Sequence, residues 1–205
     1  MKLIVISAGM GEQSALVVRQ IAQALEVTGP SVQVETVALK DYVPDLMSAL
    51  TSFAPERLLG LFERVAQADG VVVHTSIMNA SFAGLLKVFL DVLPEGTLAG
   101  APVLMLGTGG TQRHSLALDY ALRPVLSYLK AQVLPTTVFV ATADWGGRGD
   151  AVRSVNERVT EAARELVQAA GGAAKAPEAV ADREAAAGPM GNFDVSDITA
   201  RLKRL

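Results

Sequence analysis

At 205 residues the chain has room for one domain with a full core, and because it contains no cysteine, disulfides, thiolate metal sites, iron–sulfur clusters and thiol nucleophiles are excluded and any redox chemistry must come from a bound cofactor. A formal net charge of −3, from 18 basic and 21 acidic residues without a long basic block, argues against a nucleic-acid partner. Half of the residues are hydrophobic, yet no apolar run approaches the roughly 18 residues that span a bilayer, and the run Leu3 to Ile6 is too short for a signal-peptide core, so the expectation is a cytoplasmic protein with no membrane partner.

Leu3 to Ile6, followed by the small residues Ser7, Ala8 and Gly9, reads as a buried strand running into a loop. From Ser14 onward, Val18, Ile21, Ala22 and Leu25 recur at helical spacing, which predicts a helix ending near Thr28-Gly29-Pro30. Residues 32–38 read as a second strand. A looser stretch follows, then a helix through Leu58, Leu59, Phe62, Val65 and Ala66, opened by Pro55 at a first-turn position. Gly70 to Thr75 is the third strand, and Phe82, Leu85, Leu86, Phe89, Leu90 and Leu93 mark a helix stopped by Pro94 and Gly96. Pro102 to Leu106 is the fourth strand, ending in Gly107-Thr108-Gly109-Gly110 and leading to a helix from Ser115 to Lys130 that Pro124 interrupts. Residues 133–141 form the fifth strand, and residues 150–170 the last long helix, with Val152, Val155, Val159, Ala163 and Leu166 on one stripe.

Five buried strands alternating with five helices require parallel pairing and right-handed crossovers. The expected architecture is an α/β three-layer sandwich of the flavodoxin-like kind, with a five-stranded parallel sheet of order 2-1-3-4-5 and helices on both faces. Residues 1–170 are expected to form this domain. Residues 171–192, rich in Ala, Gly, Pro and charge, read as a flexible linker, and 193–205 as a short amphipathic helix with Val195, Ile198, Leu202 and Leu205 on its stripe.

In such a sheet, ligands bind at the carboxyl ends of the strands where strand order reverses. The loop after strand one contains Ser7, Gly9, Gly11 and Ser14, and delivers Ser14, Ala15 and Leu16 to a helix N-terminus that favours an anion. The Gly-Lys-Ser/Thr ending of a triphosphate loop and the dinucleotide glycine fingerprint are both missing, so a monophosphate fits better. The same residues would also serve as a plain βα turn and helix cap. His74, in an apolar strand, reads as a packed core histidine, and Lys87 as a solvated helix-surface lysine. His114 reads either as a contact to a pyridine nucleotide or as a helix-start hydrogen bond, and Trp145 as a ring cover or as a tryptophan burying its own loop.

The segment Thr75-Ser76-Ile77-Met78-Asn79-Ala80-Ser81-Phe82-Ala83-Gly84-Leu85-Leu86-Lys87 and the loop Gly107-Thr108-Gly109-Gly110 resemble the two ring-binding loops of the NAD(P)H-dependent FMN reductase family. The runs Ala80 to Pro94 and Gly109 to Pro124 are similar to members that work with luciferase-like monooxygenases, and the resemblance covers about residues 1–145. It implies NADPH- or NADH-dependent reduction of FMN, a homodimer or homotetramer, and a flavin-dependent monooxygenase as partner. By the family pattern, Ser7, Ser14, Ala15 and Leu16 would take the FMN phosphate, and Ser76, Ile77, Met78 and Asn79 the ring edge and ribityl chain. Thr108, Gly109 and Gly110 would take the other ring edge. Ser76 and Met78 stand where the family has proline and tyrosine, and the first loop carries Glu12 but lacks the family's arginine, which implies exchangeable FMN used as a substrate. A quinone or azo-compound reductase with tightly held FMN, a one-electron carrier and a flavin-free relative are the rival readings on the same scaffold.

Overall fold

The structure, a computed structural model, describes residues 1–29, 31–146 and 153–172. In chain order the elements are β1 (Lys2–Ala8), α1 (Gly11–Thr28), β2 (Gln33–Ala38), α2 (Val43–Thr51), α3 (Glu56–Gln67), β3 (Gly70–Met78), β4 (Ser81–Phe82), α4 (Gly84–Val92), β5 (Pro102–Gly109), α5 (Arg123–Tyr128), β6 (Gln132–Ala141) and α6 (Val155–Gly172). The parallel ladder runs β2-β1-β3-β5-β6, with β4 paired to β3 antiparallel. The five long strands thus keep the expected 2-1-3-4-5 order, but the sheet has six strands rather than five.

Alternation along the strands sorts the core into two layers. Leu3 and Val5 of β1, Val72 of β3, and Leu104 and Leu106 of β5 face α1 and α6, where Val17, Ile21, Leu25, Val159 and Leu166 meet them. Ile4, Ile6, Val71, Val73, Val103 and Met105 point to the other side and pack against Leu46, Leu58, Phe62, Leu86 and Phe89 of α2, α3 and α4. Because side chains alternate with period two, every second residue beyond these pairs is committed to a face before any loop is considered.

Several local expectations are corrected. The looser stretch after β2 holds a helix of its own, α2, entered through Tyr42 with a proline in its first turn. Phe82 belongs to β4 and not to the following helix, which begins at Gly84. Pro55 is the residue before α3, outside its first turn. The helix expected from Ser115 to Lys130 is a composite: a 3-10 turn at Gln112–His114, a π turn at Leu118–Leu122, then α5. Pro124 has no N–H to give the ladder, and the Arg123 N–H reaches back five residues to the Leu118 carbonyl. The last helix starts at Val155 and runs through Gly171 and Gly172. The remainder of the expected linker and the C-terminal amphipathic segment lie outside the described residues.

The start of α1 matters most for the site. Gly11, at φ +80°, turns the chain so that the helix begins there and not at Ser14. The exposed amides of the first turn, Gly11 to Gln13, have no acceptor within the helix.

Candidate active site

Strand register brings four polar side chains to one place. Ser7 of β1 pairs with His74 of β3, and Ser76 of β3 pairs with Thr108 of β5. All four fall on the α1 face by period two, and Ser14 of α1 closes over them. Ser14 Oγ lies 2.8 Å from Thr108 Oγ1 and 3.0 Å from Ser76 Oγ, and Ser76 and Thr108 are 3.3 Å apart. The Met10 N–H donates to Ser76 Oγ at 2.9 Å, fixing the residue before α1 against the end of β3.

His74 lies beneath this triad and is fully buried. Its Nδ1 is 2.9 Å from Ser7 Oγ and its Nε2 is 3.5 Å from Thr108 Oγ1, while Ser7 Oγ also accepts the Gly9 N–H at 3.2 Å. Burial pushes the imidazole pKa down to about 3, so the ring is neutral. Its packing explains Gly9: a Cβ there would lie 2.3 Å from His74 Cε1 and 2.6 Å from Ser14 Cβ.

Of the expected site residues, Ser7, Ser14, Ser76 and Thr108 come together. Ala15 and Leu16 are exposed on α1, with their amides inside the helical ladder; the amides at its open end are those of Gly11, Glu12 and Gln13. Ile77 and Met78 continue β3 as a hairpin with β4, turned by Asn79 and Ala80, which both hold positive φ (49° and 62°). Thr75 anchors the return, its Oγ1 accepting the Ala83 N–H at 2.9 Å. Gly109 ends β5, and Gly110 follows in open space.

These residues fit a flavin mononucleotide. The first-turn amides and the uncharged hydroxyls suit a phosphate. Exposed Met10 and Met78, next to the hydroxyl cluster in the chain, offer apolar surface to a ring system, and the bare edge at Gly110 leaves room for one among the described residues. Glu12, exposed in the same first turn, is the acidic side chain nearest in sequence to that anion seat. Among the described residues no cluster of His, Asp and Glu is arranged to hold a metal ion, and no helix is long and apolar enough to cross a membrane.

The family model for NADPH-dependent FMN reductases matches residues 1–146. The chain belongs to this family. It is 38% identical over 159 residues to an FMN reductase (NADPH) of Pseudomonas putida, covering 75% of this chain and 79% of that one. Over 174 residues it is 30% identical to an FMN reductase (NADPH) of Pseudomonas aeruginosa, covering 83% and 93%. An oxidoreductase from Corynebacterium diphtheriae superposes with a TM-score of 0.75 at 37% identity, over 84% of this chain and 98% of that one. Membership makes the chain an NAD(P)H-dependent FMN reductase, with FMN as its flavin.

Beside the candidate site this reductase carries a second buried polar group that sequence reasoning missed. Asp144, in the 3-10 turn after β6, has a side chain only 2% exposed and pairs with Arg158 of α6 at 3.0 Å. The same carboxylate oxygen accepts Gln112 Nε2 and the Ala141 N–H, each at 2.9 Å. Arg158 also donates to the Phe139 carbonyl. Trp145 packs, partly buried, against the core layer between the sheet and α1 and α6. Among the described residues the buried His114 Nδ1 has no hydrogen-bond partner, and its backbone N–H donates to the Thr111 carbonyl. Lys87 is an exposed helix lysine paired with Asp91, as expected of a solvated face.

Proposed function

We propose that the chain transfers a hydride from NAD(P)H to exchangeable FMN and passes the reduced flavin to a flavin-dependent monooxygenase. The observation that supports this best is the convergence, at the ends of β1, β3 and β5, of an open helix end, a hydroxyl cluster and a glycine edge. In this reading Ser7, Ser14, Ala15 and Leu16 surround the phosphate, with the amides of Gly11 to Gln13 as its donors. Ser76, Ile77, Met78 and Asn79 border the ribityl chain and one ring edge, and Thr108, Gly109 and Gly110 border the other.

Bound flavin supplies the redox chemistry, accepting at N5 the hydride that leaves the nicotinamide C4, so that NAD(P)⁺ is released and a solvent proton completes the reduced ring. The protein's part is to bind and orient. The hairpin and the β5 loop hold the two ring edges at fixed separation, because β3 and β5 are hydrogen-bonded neighbours in the sheet. No side chain of the cluster has to gain or lose a proton. Self-association as a homodimer or homotetramer is part of the proposal, supported by the exposed apolar side chains Leu116, Tyr120 and Tyr128.

Steady-state oxidation of NADPH and of NADH at a series of added FMN concentrations tests the reading. Saturable turnover that requires added FMN is expected, and the faster nucleotide identifies the donor. Undiminished turnover of a quinone by protein that keeps its flavin through purification would overturn the exchangeable-substrate reading.

A further inference from the structure

We infer that Gln112 is a positioning residue for the flavin: through its bond to the buried Asp144 it holds the loop after β5 in place before the ring arrives. The inference rests on the reading of Thr108, Gly109 and Gly110 as a ring edge.

The loop needs an outside hold because the sheet stops supporting it. Gly109 and Ala141 are the last paired residues of β5 and β6. Beyond them the ladder no longer holds the two strand ends together, and Gly110, Thr111 and Arg113 are exposed, so packing does little to fix them. Within residues 110–115 the backbone bonds are short-range: the His114 N–H donates to the Thr111 carbonyl and the Ser115 N–H to the Gln112 carbonyl. Such bonds shape a 3-10 turn without fastening it to another element. Among the described residues, the bond from Gln112 Nε2 to Asp144 Oδ2, at 2.9 Å, is the only side-chain hydrogen bond from this loop to another element. It joins residues that each stand three positions past the last ladder pair, so it continues the clamp between β5 and β6 where the sheet ends.

Asp144 is a firm anchor. Its side chain is 2% exposed, and the oxygen that accepts from Gln112 also accepts the Ala141 N–H at 2.9 Å and Arg158 Nη2 at 3.0 Å. All three partners are N–H donors, so the direction of each bond is settled. Arg158 lies on α6 and donates to the Phe139 carbonyl as well, which ties the anchor to the helix layer and to β6. The same turn reaches the start of α1, where Thr142 Oγ1 donates to Gln13 Oε1 at 3.3 Å. One turn thus touches both the first turn of α1 and the loop after β5, the segments assigned above to the phosphate and to a ring edge. A loop already ordered in its bound shape loses less conformational entropy when the ligand arrives, and the difference appears as affinity.

The test combines hydrogen exchange of the flavin-free protein with FMN titration, followed by quenching of flavin fluorescence, for wild type, Gln112→Ala, Asp144→Ala and the double variant. Gln112→Ala leaves Asp144 with its other two donors, so the rest of the anchor stays bonded. The expected result is faster exchange confined to the amides of residues 110–115, with FMN bound about tenfold more weakly. In the Asp144→Ala background, where the bond is already gone, Gln112→Ala should cost nothing further. Exchange and affinity of Gln112→Ala alone carry the test if Asp144→Ala fails to fold. Unchanged FMN affinity in Gln112→Ala would overturn the inference, as would exchange that rises throughout β5 and β6, which would reduce Gln112 to a packing residue. Equal weakening in both backgrounds would mean that Gln112 touches the ligand itself, and would overturn it too. Wild-type protein that binds no flavin would overturn the ring-edge reading and the inference with it.

Discussion

A Cβ added at Gly109 would lie 2.8 Å from the Phe139 ring, whereas one added at Gly110 would meet nothing within 4 Å among the described residues, and neither glycine holds a positive φ. Gly109 is therefore constrained by the fold, and Gly110 only by what approaches from outside. Gly109→Val should lower stability by about 1–3 kcal/mol through overpacking. Gly110→Val should leave the denaturation midpoint unchanged and lose FMN affinity. Urea denaturation and flavin titration of the pair separate the two roles, and a Gly110→Val protein with normal FMN affinity would remove Gly110 from the ring edge. Ser76 likewise takes its meaning from its neighbours. Where the family has a proline without an N–H or hydroxyl, this chain places a hydroxyl that accepts the Met10 N–H, shares a hydrogen bond with Ser14 and ties the α1 entry to β3.

Among the elements, the β3–β4 hairpin turns on two residues, Asn79 and Ala80, that both hold positive φ, the requirement of a tight two-residue turn whose twist suits its strands. Asparagine tolerates this conformation, but alanine carries a strain of about 1 kcal/mol there. Ala80→Gly should raise stability by up to about 1 kcal/mol, read from urea denaturation; a destabilised variant would mean that the turn conformation is not strained. The end of β6 shows the opposite arrangement, with one carboxylate joining α6, the loop after β5 and the strand itself. Asp144→Ala would strand the partly buried Arg158 and leave Gln112 and the Ala141 N–H without acceptors, at a cost of about 2–4 kcal/mol. Near-normal stability of that variant would show that the tie carries no weight. Neither feature was legible in the sequence, because Ser81-Phe82 is too short to show alternation and Asp144 has no pattern around it. The helix α2 was missed for a related reason: its nine residues bury only Leu46 and Ala49, too few to establish a period.

For the molecule as a whole, the long buried runs were the legible part. Leu3 to Ile6, Val71 to Val73 and Val103 to Leu106 are apolar on both sides because helices cover both faces of the sheet, and such runs point to parallel pairing, from which the order of the doubly wound fold class was expected. The site was legible as a set of loops but not as a network. Ser7, His74, Ser76 and Thr108 come from three strands far apart in sequence, and only the register makes them neighbours. His74 also ties the site to global stability. Its folded pKa is about 3, below the ordinary 6.5, so on acidification the unfolded chain takes up the proton first. The contribution is complete above about pH 6.5 and is lost as pH falls toward 3, amounting to about 2 kcal/mol by pH 5. Stability measured by urea denaturation from pH 8 to pH 5 should fall accordingly, and His74→Gln should flatten that slope; an unchanged slope in the variant would assign the acid sensitivity elsewhere.

The mutual bonding of Ser14, Ser76 and Thr108 bears on residence time. Hydroxyls that already satisfy one another gain only the difference between two sets of hydrogen bonds when a phosphate arrives, and they strand no donor when it departs. Such a seat favours a fast off-rate at modest affinity. Under the proposed function, in which reduced flavin leaves to be used elsewhere, slow release would be the failing, and a lining that heals itself is suited to letting go.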